Sequence, residues 1–575
     1  MGTDDAQDPT AQKSLRRRNV AFFAVAAGLT SIACAVLLLH PFPFGVPGEW
    51  VWEVAGDIAW FTAGPFVQVA VVFLVVVGVA AWRIGELRRY TEAALIAGLV
   101  AFVMLMQLML GIASQGGLRE SFVALSAPGA SNVYYAQAIE IRDFGDLRQF
   151  LKDYRVIAKQ SDAWQLKTHP PGATVFFWAI HRFYQACPER LVRAAITVPE
   201  AMTPAVEDGS EIALLVNLPE RQKAGIWTAV FALWLAAAST IVPVYLWGRA
   251  LYGKQIALYA AAFTGLIPSL LLFSPLIDQL YPPLAAWICY LSWVALGRRS
   301  MLAAGVAGAL AFVGMFFTVA FLAVIALVAI MFVAREIERI DQMVEPDHRG
   351  RQHVLLGAAV TAVAIPAWFI ATSALPPSMR PSSLTFSAFL VAAEIAAIWT
   401  VLRVQDEAGM GKLAAESLPL AGAGLVGFLV LVIAVVAGLG HDIVGSWRHS
   451  FEMNREFNIT THRSHWLWMA ANPPCFVAYL GVPITCLFAR RLWLEPDSVS
   501  AAVAVVLVML WGTGQNLGEV ERLWMLAMPL CAMAGAATLR AFGRYAGAPA
   551  LAFLALQAAQ LIILKMCIHT VRLTG

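Results

Sequence analysis

The chain alternates between long runs of apolar residues and shorter polar segments. Runs such as Val71–Ala81, Ala93–Leu110 and Leu418–Leu439 have the length and apolarity of membrane spans. Backbone in lipid must satisfy its own hydrogen bonds, and a helix does so within one segment. The pattern therefore predicts an all-α polytopic membrane protein, a helical bundle of roughly 13–15 transmembrane helices.

The longest polar block runs from Ser131 to Phe183 and contains His169-Pro170-Pro171-Gly172 before an aromatic apolar segment. That segment, Gly172–Tyr184, is shorter than the roughly 20 residues that a span needs. If it lies on the surface or dips in and back, the basic clusters of all later loops fall on the cytoplasmic side, as the positive-inside bias requires. We therefore expect an interfacial or re-entrant segment within an outward-facing loop that carries a juxtamembrane helix.

Spans and loops together predict how the chain is divided. Arg16, Arg17 and Arg18 precede the first span and no small-residue cleavage site follows, so the N-terminus is expected in the cytoplasm. The apolar run Met301–Val333 is too long for one helix and is expected to split near Phe316. The predicted parts are a tail at 1–18, two helices with an outer loop at 19–92, a core at 93–300 with an outer loop at 114–223, and C-terminal helices at 301–575.

Composition agrees with this class and excludes others. Hydrophobic residues make up 60% of the 575 residues and charged residues 13%, whereas soluble domains carry about a quarter charged residues. A net charge of +3 gives no indication of nucleic-acid binding. The seven cysteines form no CxxC pair and the histidines of the 441–465 segment match no metal spacing, so no metal site is predicted. A requirement for a divalent metal is left open.

The predicted topology gathers several polar loops on the outer face. A helix within Tyr134–Tyr154 would turn Tyr135 and other apolar residues toward the membrane and Glu140, Arg142 and Asp143 away from it. Those charges are either the solvated face of an interfacial helix or part of a site.

Two further groups of polar residues are candidates for a site. Pro170 and Pro171 stiffen the chain, and His169 can offer a hydrogen bond or a positive charge to a phosphate. Asp278 stands at a membrane boundary, where a carboxylate is costly without a partner or a role. Glu519, Glu521 and Arg522 begin a helix, as a local ion pair or as part of a site.

The order of these features carries a resemblance. A long outer loop with a tyrosine-rich helix is followed by His169-Pro170-Pro171, a basic inner loop at 248–254, and Ser274-Pro275 before Asp278. This order resembles the GT-C superfamily of membrane glycosyltransferases, in particular protein O-mannosyltransferases and lipid A aminoarabinose transferases. The resemblance covers roughly Ala93–Arg299, and Gly518–Trp524 resembles a segment of bacterial GT-C-like proteins.

The resemblance implies a GT-C-like fold and an inverting transfer of a sugar from a polyprenyl-phosphate donor, on the extracytoplasmic side of a bacterial plasma membrane. In the family an Asp before the tyrosine that matches Tyr135 acts as general base, but here Ser131 and Asn132 occupy those positions. Glu49, Glu140 and Asp143 are then the candidate catalytic carboxylates. The candidate substrate-binding residues are Tyr134, Tyr135, Arg142, His169, Pro170, Pro171, Asp278, Glu519, Glu521 and Arg522.

Two other functions remain open at this point. A transporter or flippase of a lipid-linked or anionic substrate would suit Glu394, which lies in the middle of a predicted span. A non-catalytic assembly protein could keep the same fold. The expected partners are the lipid-linked donor and the bilayer, with no nucleic acid, and the sequence identifies neither sugar, acceptor nor protein partner.

Overall fold

The computed structural model describes residues 9–41, 43–54, 60–114, 117–126, 132–202, 218–341 and 407–569. Among these residues, seven helices are long and apolar enough to cross a membrane, or eight if the bent pair His465–Leu480 and Val482–Leu494 forms one span. The predicted all-α multi-pass membrane protein is confirmed. The predicted spans at 354–371 and 386–402, with Glu394, lie outside the described residues.

The first third of the chain combines three long helices with a series of shorter ones. The helices are α1 (Pro9–Leu39), α2 (Gly64–Arg83), α3 (Arg89–Ile112), α4 (Arg119–Ser126), α5 (Asn132–Glu140), α6 (Phe144–Gln160), α7 (Trp164–Thr168), α8 (Gly172–Ala186) and α9 (Glu189–Ala201). Between α1 and α2 lie the two-residue strands β1 (Gly45–Val46), β2 (Trp50–Val51) and β3 (Glu53–Val54), and a 3-10 turn at Trp60–Ala63.

The middle of the chain is entirely helical where the structure describes it. Its helices are α10 (Glu220–Ser239), α11 (Ile241–Tyr252), α12 (Lys254–Thr264), α13 (Pro268–Leu272), a 3-10 turn at Ile277–Leu280, α14 (Tyr281–Arg298), α15 (Met301–Phe317) and α16 (Phe321–Asp341). The predicted division near Phe316 is confirmed, because one helix ends at Phe317 and the next begins at Phe321.

The C-terminal part contains more broken helices than the sequence pattern predicts. It comprises α17 (Glu407–Ile433) with a π-turn at Ala434–Leu439, α18 (Ile443–Thr460), α19 (His465–Leu480), α20 (Val482–Leu494), α21 (Ser498–Gly512), α22 (Val520–Leu523), α23 (Met528–Ala536), a 3-10 segment at Ala537–Tyr545, α24 (Gly547–Cys567) and β4 (Ile568–His569). The apolar runs at 256–273 and 523–539 are each long enough to suggest a span, but both are interrupted, the first between Thr264 and Pro268 and the second between Leu523 and Met528. Among the described residues, short helices and breaks of this kind explain why fewer long spans occur than the apolar runs predict.

The basic loops meet at one end of the molecule, which we call the basic end. The buried Glu92 carboxylate pairs with Arg249 and, at 2.9 Å, with Lys254 Nζ, which also donates to the backbone oxygen of Leu87 at 3.1 Å. These contacts join the α2–α3 loop to the α11–α12 loop.

A second set of contacts brings the α20–α21 loop to the same end. Asp497 accepts a hydrogen bond from the Tyr252 hydroxyl at 2.6 Å and pairs with Arg491 at 2.9 Å. Arg540 donates to the backbone oxygen of Leu251 at 3.4 Å. The clusters at 249–254 and 490–491, which the sequence assigns to one side, therefore lie together.

The opposite end, which we call the site end, collects the loops that contain Glu49, Asp278 and Glu519. Helix α3 leaves the basic end, and α10 and α11 return to it, so residues 113–219 begin and end at the site end. Helix α8 makes no net crossing within this segment, and its 15 residues are too few for a span. It packs on α5 and α10, and the Tyr184 hydroxyl lies 2.6 Å from Thr228 Oγ1.

Short strand pairs fix the loop that carries Glu49. Strand β1 pairs with β2, and β3 pairs with β4, so that Glu53 lies opposite His569. The end of the last long helix is thereby joined to the loop after α1, at the site end of the molecule.

Candidate functional site

A cluster of charged side chains lies where three loops meet at the site end. Arg522 Nη2 donates to Glu519 Oε2 at 2.6 Å, and Arg522 Nη1 lies 3.7 Å from Asp278 Oδ2. Arg463 Nη2 lies 3.3 Å from the second oxygen of Glu519. We call Asp278, Arg463, Glu519 and Arg522 the Arg522 cluster.

Burial makes the charges of this cluster depend on one another. Burial opposes ionisation of Glu519, but Arg522 and Arg463 outweigh it and hold the pKa of this carboxyl below its usual value. Burial also opposes the charge on Arg522, yet Asp278 and Glu519 raise the pKa of its guanidinium. Removing one member would leave a partner buried without compensation, which costs more than the pair itself contributes.

A strained turn positions Glu519 in the cluster. Gly518 has a φ of +89° and Glu519 a φ of +56°, the left-handed region that residues other than glycine rarely adopt. A Cβ atom at Gly518 would lie 2.9 Å from the Trp468 ring and 3.0 Å from Arg463 Nη1. Glycine is therefore required here by the close approach as well as by the backbone conformation.

Glu49 lies beside the cluster on the turn between β1 and β2. Its Oε2 accepts hydrogen bonds from the Ser464 backbone N–H at 2.7 Å and from Trp468 Nε1 at 2.8 Å. Burial raises the pKa of Glu49, but these bonds and the Arg463 charge outweigh it, and the net pKa lies below the usual value. The carboxylate satisfies donors at the start of α19 and connects the first outer loop to the site.

Tyrosine hydroxyls hold the turn that contains His169. The Tyr154 hydroxyl donates to the backbone oxygens of His169 at 2.6 Å and of Leu166 at 3.1 Å. The Tyr134 hydroxyl donates to the backbone oxygen of Gln165 at 3.1 Å. Tyrosines from α5 and α6 thus satisfy carbonyl groups at the end of α7, including that of Leu166, whose helical partner four residues later would be Pro170, which has no N–H.

Pro170, Pro171 and Gly172 form the start of α8 against the end of α15. Both prolines are buried, and Pro171 occupies the position before the first helical residue. A Cβ atom at Gly172 would collide with the Phe316 backbone and lie 3.0 Å from the Phe317 Cα. The close approach of the two backbones explains the glycine of this motif.

The ring of His169 is in electrostatic contact with the Arg522 cluster. Its Nδ1 lies 2.9 Å from Thr168 Oγ1, and its ring lies edge-on to Tyr134 with centroids 6.3 Å apart. Burial lowers the pKa of His169, the Asp278 carboxylate opposes this, and Arg522 adds to it. The net pKa is below the usual value, so the imidazole is neutral at neutral pH.

Glu521 differs from the other carboxylates of the site. It is 0% exposed, and neither carboxyl oxygen has a hydrogen-bond partner among the described residues. Burial, with the Glu519 charge adding to it, raises the pKa of Glu521 to about 8. The Ser269 hydroxyl donates to its backbone oxygen at 2.6 Å and fixes its position. Glu521 is therefore a buried acid that carries its proton at neutral pH.

Three residues predicted for the site make local, exposed contacts instead. Arg142 Nε donates to Asp146 Oδ2 at 2.8 Å, and Asp143 accepts from the Asp146 backbone N–H at 2.9 Å as the cap of α6. Glu140 accepts from Gln137 Nε2 at 3.1 Å. The structure does not bring these side chains into the Arg522 cluster.

Tyr135 also points away from the cluster, into the packing between α5, α8 and α10. Its hydroxyl donates to the backbone oxygen of Gln222 at 3.1 Å, and its ring meets the rings of Phe177 and His181 edge-on. Tyr134, one residue earlier, is the tyrosine that reaches the site.

Arg463 and Trp468 belong to the site but were not predicted. Arg463 lies in a polar loop and Trp468 near the start of α19, and neither belongs to a motif. Arg463 contacts Glu519, which lies 56 positions later in the chain, and Trp468 contacts Glu49, which lies 419 positions earlier. Sequence patterns of short range carry no signal for such contacts. Among the described residues, no group of three or more His, Cys, Asp and Glu side chains could hold a metal ion.

Comparison with known proteins adds no family assignment to this geometry. Neither a protein-family model nor a curated protein sequence matches the chain. We therefore infer a function from the contacts of the Arg522 cluster and of the turn around His169.

Proposed function

We propose that this protein is a membrane glycosyltransferase that moves a sugar from a polyprenyl-phosphate donor to an acceptor at the site end. The observation that carries the proposal is the convergence of Asp278, Arg522 and His169 at one end of an apolar helical bundle. A transfer from a lipid phosphate requires a carboxylate, a cation and a site that excludes bulk water. All three requirements are met by these residues.

The guanidinium of Arg522 supports the proposal as the group that stabilises the departing phosphate. A planar guanidinium forms strong, directional hydrogen bonds with phosphate oxygens. The Asp278 contact at 3.7 Å is longer than a hydrogen bond, so this side of Arg522 is the one that an incoming phosphate oxygen can engage. Glu519 and Arg463 fix the other side.

Asp278 is the carboxylate that we assign as general base within this proposal. It is 4% exposed and acts electrostatically on Tyr134 and His169 as well as on Arg522. Glu49 already accepts two hydrogen bonds, which makes it a poorer proton acceptor. Glu49 then has a positioning role through Trp468 and Ser464, and the exposed Glu140 and Asp143 act outside the chemical step.

Glu521 favours one alternative, a transporter of an anionic or lipid-linked substrate that moves together with a proton. An acid that is buried, lacks a hydrogen-bond partner among the described residues and has a pKa near neutrality can load and release a proton during a transport cycle. The carboxylates and cations next to it would then bind the substrate without breaking it.

Turnover by the purified protein separates these functions. Protein in detergent is mixed with polyprenyl-phosphate sugars and candidate acceptor hydroxyls, and the release of polyprenyl phosphate is measured. We expect release by the unmodified protein, and a fall in kcat of about 10²-fold or more for Asp278→Asn, because the amide cannot accept the proton. KM for the donor should change far less than kcat.

Glu452→Gln is the matched control, since Glu452 forms an exposed pair with Arg448 on α18. Its turnover should equal that of the unmodified protein. Uptake of the lipid-linked or anionic substrate into proteoliposomes without release of polyprenyl phosphate would replace the transferase by the transporter. If the protein shows neither release nor uptake, the remaining function is that of a non-catalytic assembly protein.

A further inference from the structure

A polar cavity lies at the site end, outside the Arg522 cluster. Its volume is about 40 Å³, which is space for about three water molecules. The cavity lies between α3, α4, α10 and α24. The polar side chains that line it are Gln107, Ser114, Glu120, Ser121, Ser274 and Lys565, together with Trp234 and His569.

Lys565 brings a positive charge to this cavity from the last turn of α24. Its Nζ donates to Ser114 Oγ at 2.8 Å, and Ser114 Oγ donates in turn to the Leu110 backbone oxygen at 3.2 Å. An ammonium group has three N–H bonds, and this contact uses one of them. Glu120 lines the same cavity.

Trp234 adds a donor whose hydrogen bond is not made. The side chain is 2% exposed, and its Nε1 has no hydrogen-bond partner among the described residues. An unsatisfied buried N–H costs about 1–3 kcal/mol. A ligand with an acceptor atom in the cavity would remove this cost.

The side-chain oxygen of Gln107 is already used as an acceptor. Its Nε2 donates to the Trp234 backbone oxygen at 2.9 Å, and its Oε1 accepts from Ser274 Oγ at 3.1 Å and from Gln279 Nε2 at 3.4 Å. These bonds leave Gln107 no free acceptor for a ligand donor. The Lys565 ammonium, which uses one of its N–H bonds, and the Trp234 indole N–H, which has no partner among the described residues, line this same cavity.

We propose that this cavity is a binding site for a small carboxylate, held by the Lys565 ammonium and the Trp234 indole N–H. A carboxylate group has three non-hydrogen atoms and matches the space of about three water molecules, whereas a phosphate with five atoms exceeds it. Two acceptor oxygens on one anion match one cationic donor and one neutral donor. The site is independent of the proposed transferase reaction.

Formate is the probe that tests this site on the whole chain in detergent. Its proton resonates away from detergent signals, so that saturation-transfer NMR detects weak binding directly. Ionic strength is kept constant with chloride. We expect a saturable formate signal that inorganic phosphate does not displace, and dissociation constants about tenfold larger for Lys565→Met and for Trp234→Phe.

Trp227→Phe is the control, because Trp227 is a buried tryptophan on the same helix that does not line the cavity. Its affinity for formate should be that of the unmodified protein. Should Lys565→Met fail to fold, as judged by its elution volume and thermal unfolding, Trp234→Phe keeps the test decisive. A signal that does not saturate, equal affinity in the Trp234→Phe and Trp227→Phe variants, or displacement by phosphate would overturn the proposal.

Discussion

At the scale of single residues, the site holds two neighbouring acids in opposite charge states. Glu519 lies between two guanidinium groups and stays ionised, whereas Glu521 has no cation at hydrogen-bond distance among the described residues and keeps its proton. Glu519 has a φ of +56° immediately before α22, and Glu521 lies within that helix. One short segment thus supplies an anion that fixes Arg522 and a neutral acid that can give up a proton.

The raised pKa of Glu521 predicts a specific pH dependence of stability. The pKa in the folded protein is about 8 against 4.5 for an ordinary glutamate. Between these pH values the carboxyl ionises in the unfolded chain but stays protonated in the folded protein, and this difference favours unfolding. Stability relative to Glu521→Gln should be highest below about pH 4.5 and should fall as the pH rises to about 8. Thermal unfolding of both proteins across this range measures the difference.

The groups that face Glu521 come from several elements, and none of them is substituted in the two proteins compared. They are Trp52 after β2, Cys475 and Tyr479 on α19, and Glu519 and Arg522 beside it. Glu452→Gln removes an exposed carboxyl on α18 and is the control, and its difference from the unmodified protein should change much less with pH than that of Glu521→Gln. A constant difference for Glu521→Gln as well would show that its carboxyl titrates normally.

At the scale of elements, glycines decide how closely two helices pack. A Cβ atom at Gly308 on α15 would collide with the backbone of Gly424 on α17, and one at Gly427 would collide with the backbone of Gly305. In a membrane, helices associate through close backbone contact of this kind, because lipid offers no hydrophobic driving force between them. The glycines on both helices therefore allow the two backbones to come into direct contact.

Gly308→Ala should destabilise the protein by about 1–3 kcal/mol, because the added methyl group forces α15 and α17 apart. The midpoint of thermal unfolding in detergent measures the effect. Gly422→Ala is the matched control: Gly422 is also on α17, but a Cβ there would meet no atom within 4 Å. Equal unfolding midpoints for the two variants would contradict the close packing.

Helix boundaries show which local features the sequence pattern could predict. The turn between Phe317 and Phe321 was predictable because the apolar run is too long for one span. The break before Met528 does not show in the apolarity of residues 523–539, which are almost uniformly apolar; it coincides with Pro529 at the start of α23. Apolar runs alone do not distinguish a straight span from a broken one.

In the whole molecule, the charge of the loops predicted which loops lie together at one end, but not which residues form the site. Arg249, Lys254 and Arg491 lie together at the basic end, as topology rules indicate. Asp278 and Arg522 were predicted as candidates, and the structure brings them together. Arg463 and the contacts of Glu49 were not predictable, because they join loops that are adjacent only in the folded bundle.

The central claim is that the Arg522 cluster receives the phosphate of a polyprenyl lipid. An electron cryomicroscopy structure of the protein with bound polyprenyl phosphate tests it most directly. We expect the phosphate within about 4 Å of the Arg522 guanidinium, on the side of Asp278 and His169. A phosphate bound elsewhere on the protein, with the Arg522 cluster unchanged at saturating lipid, would contradict it.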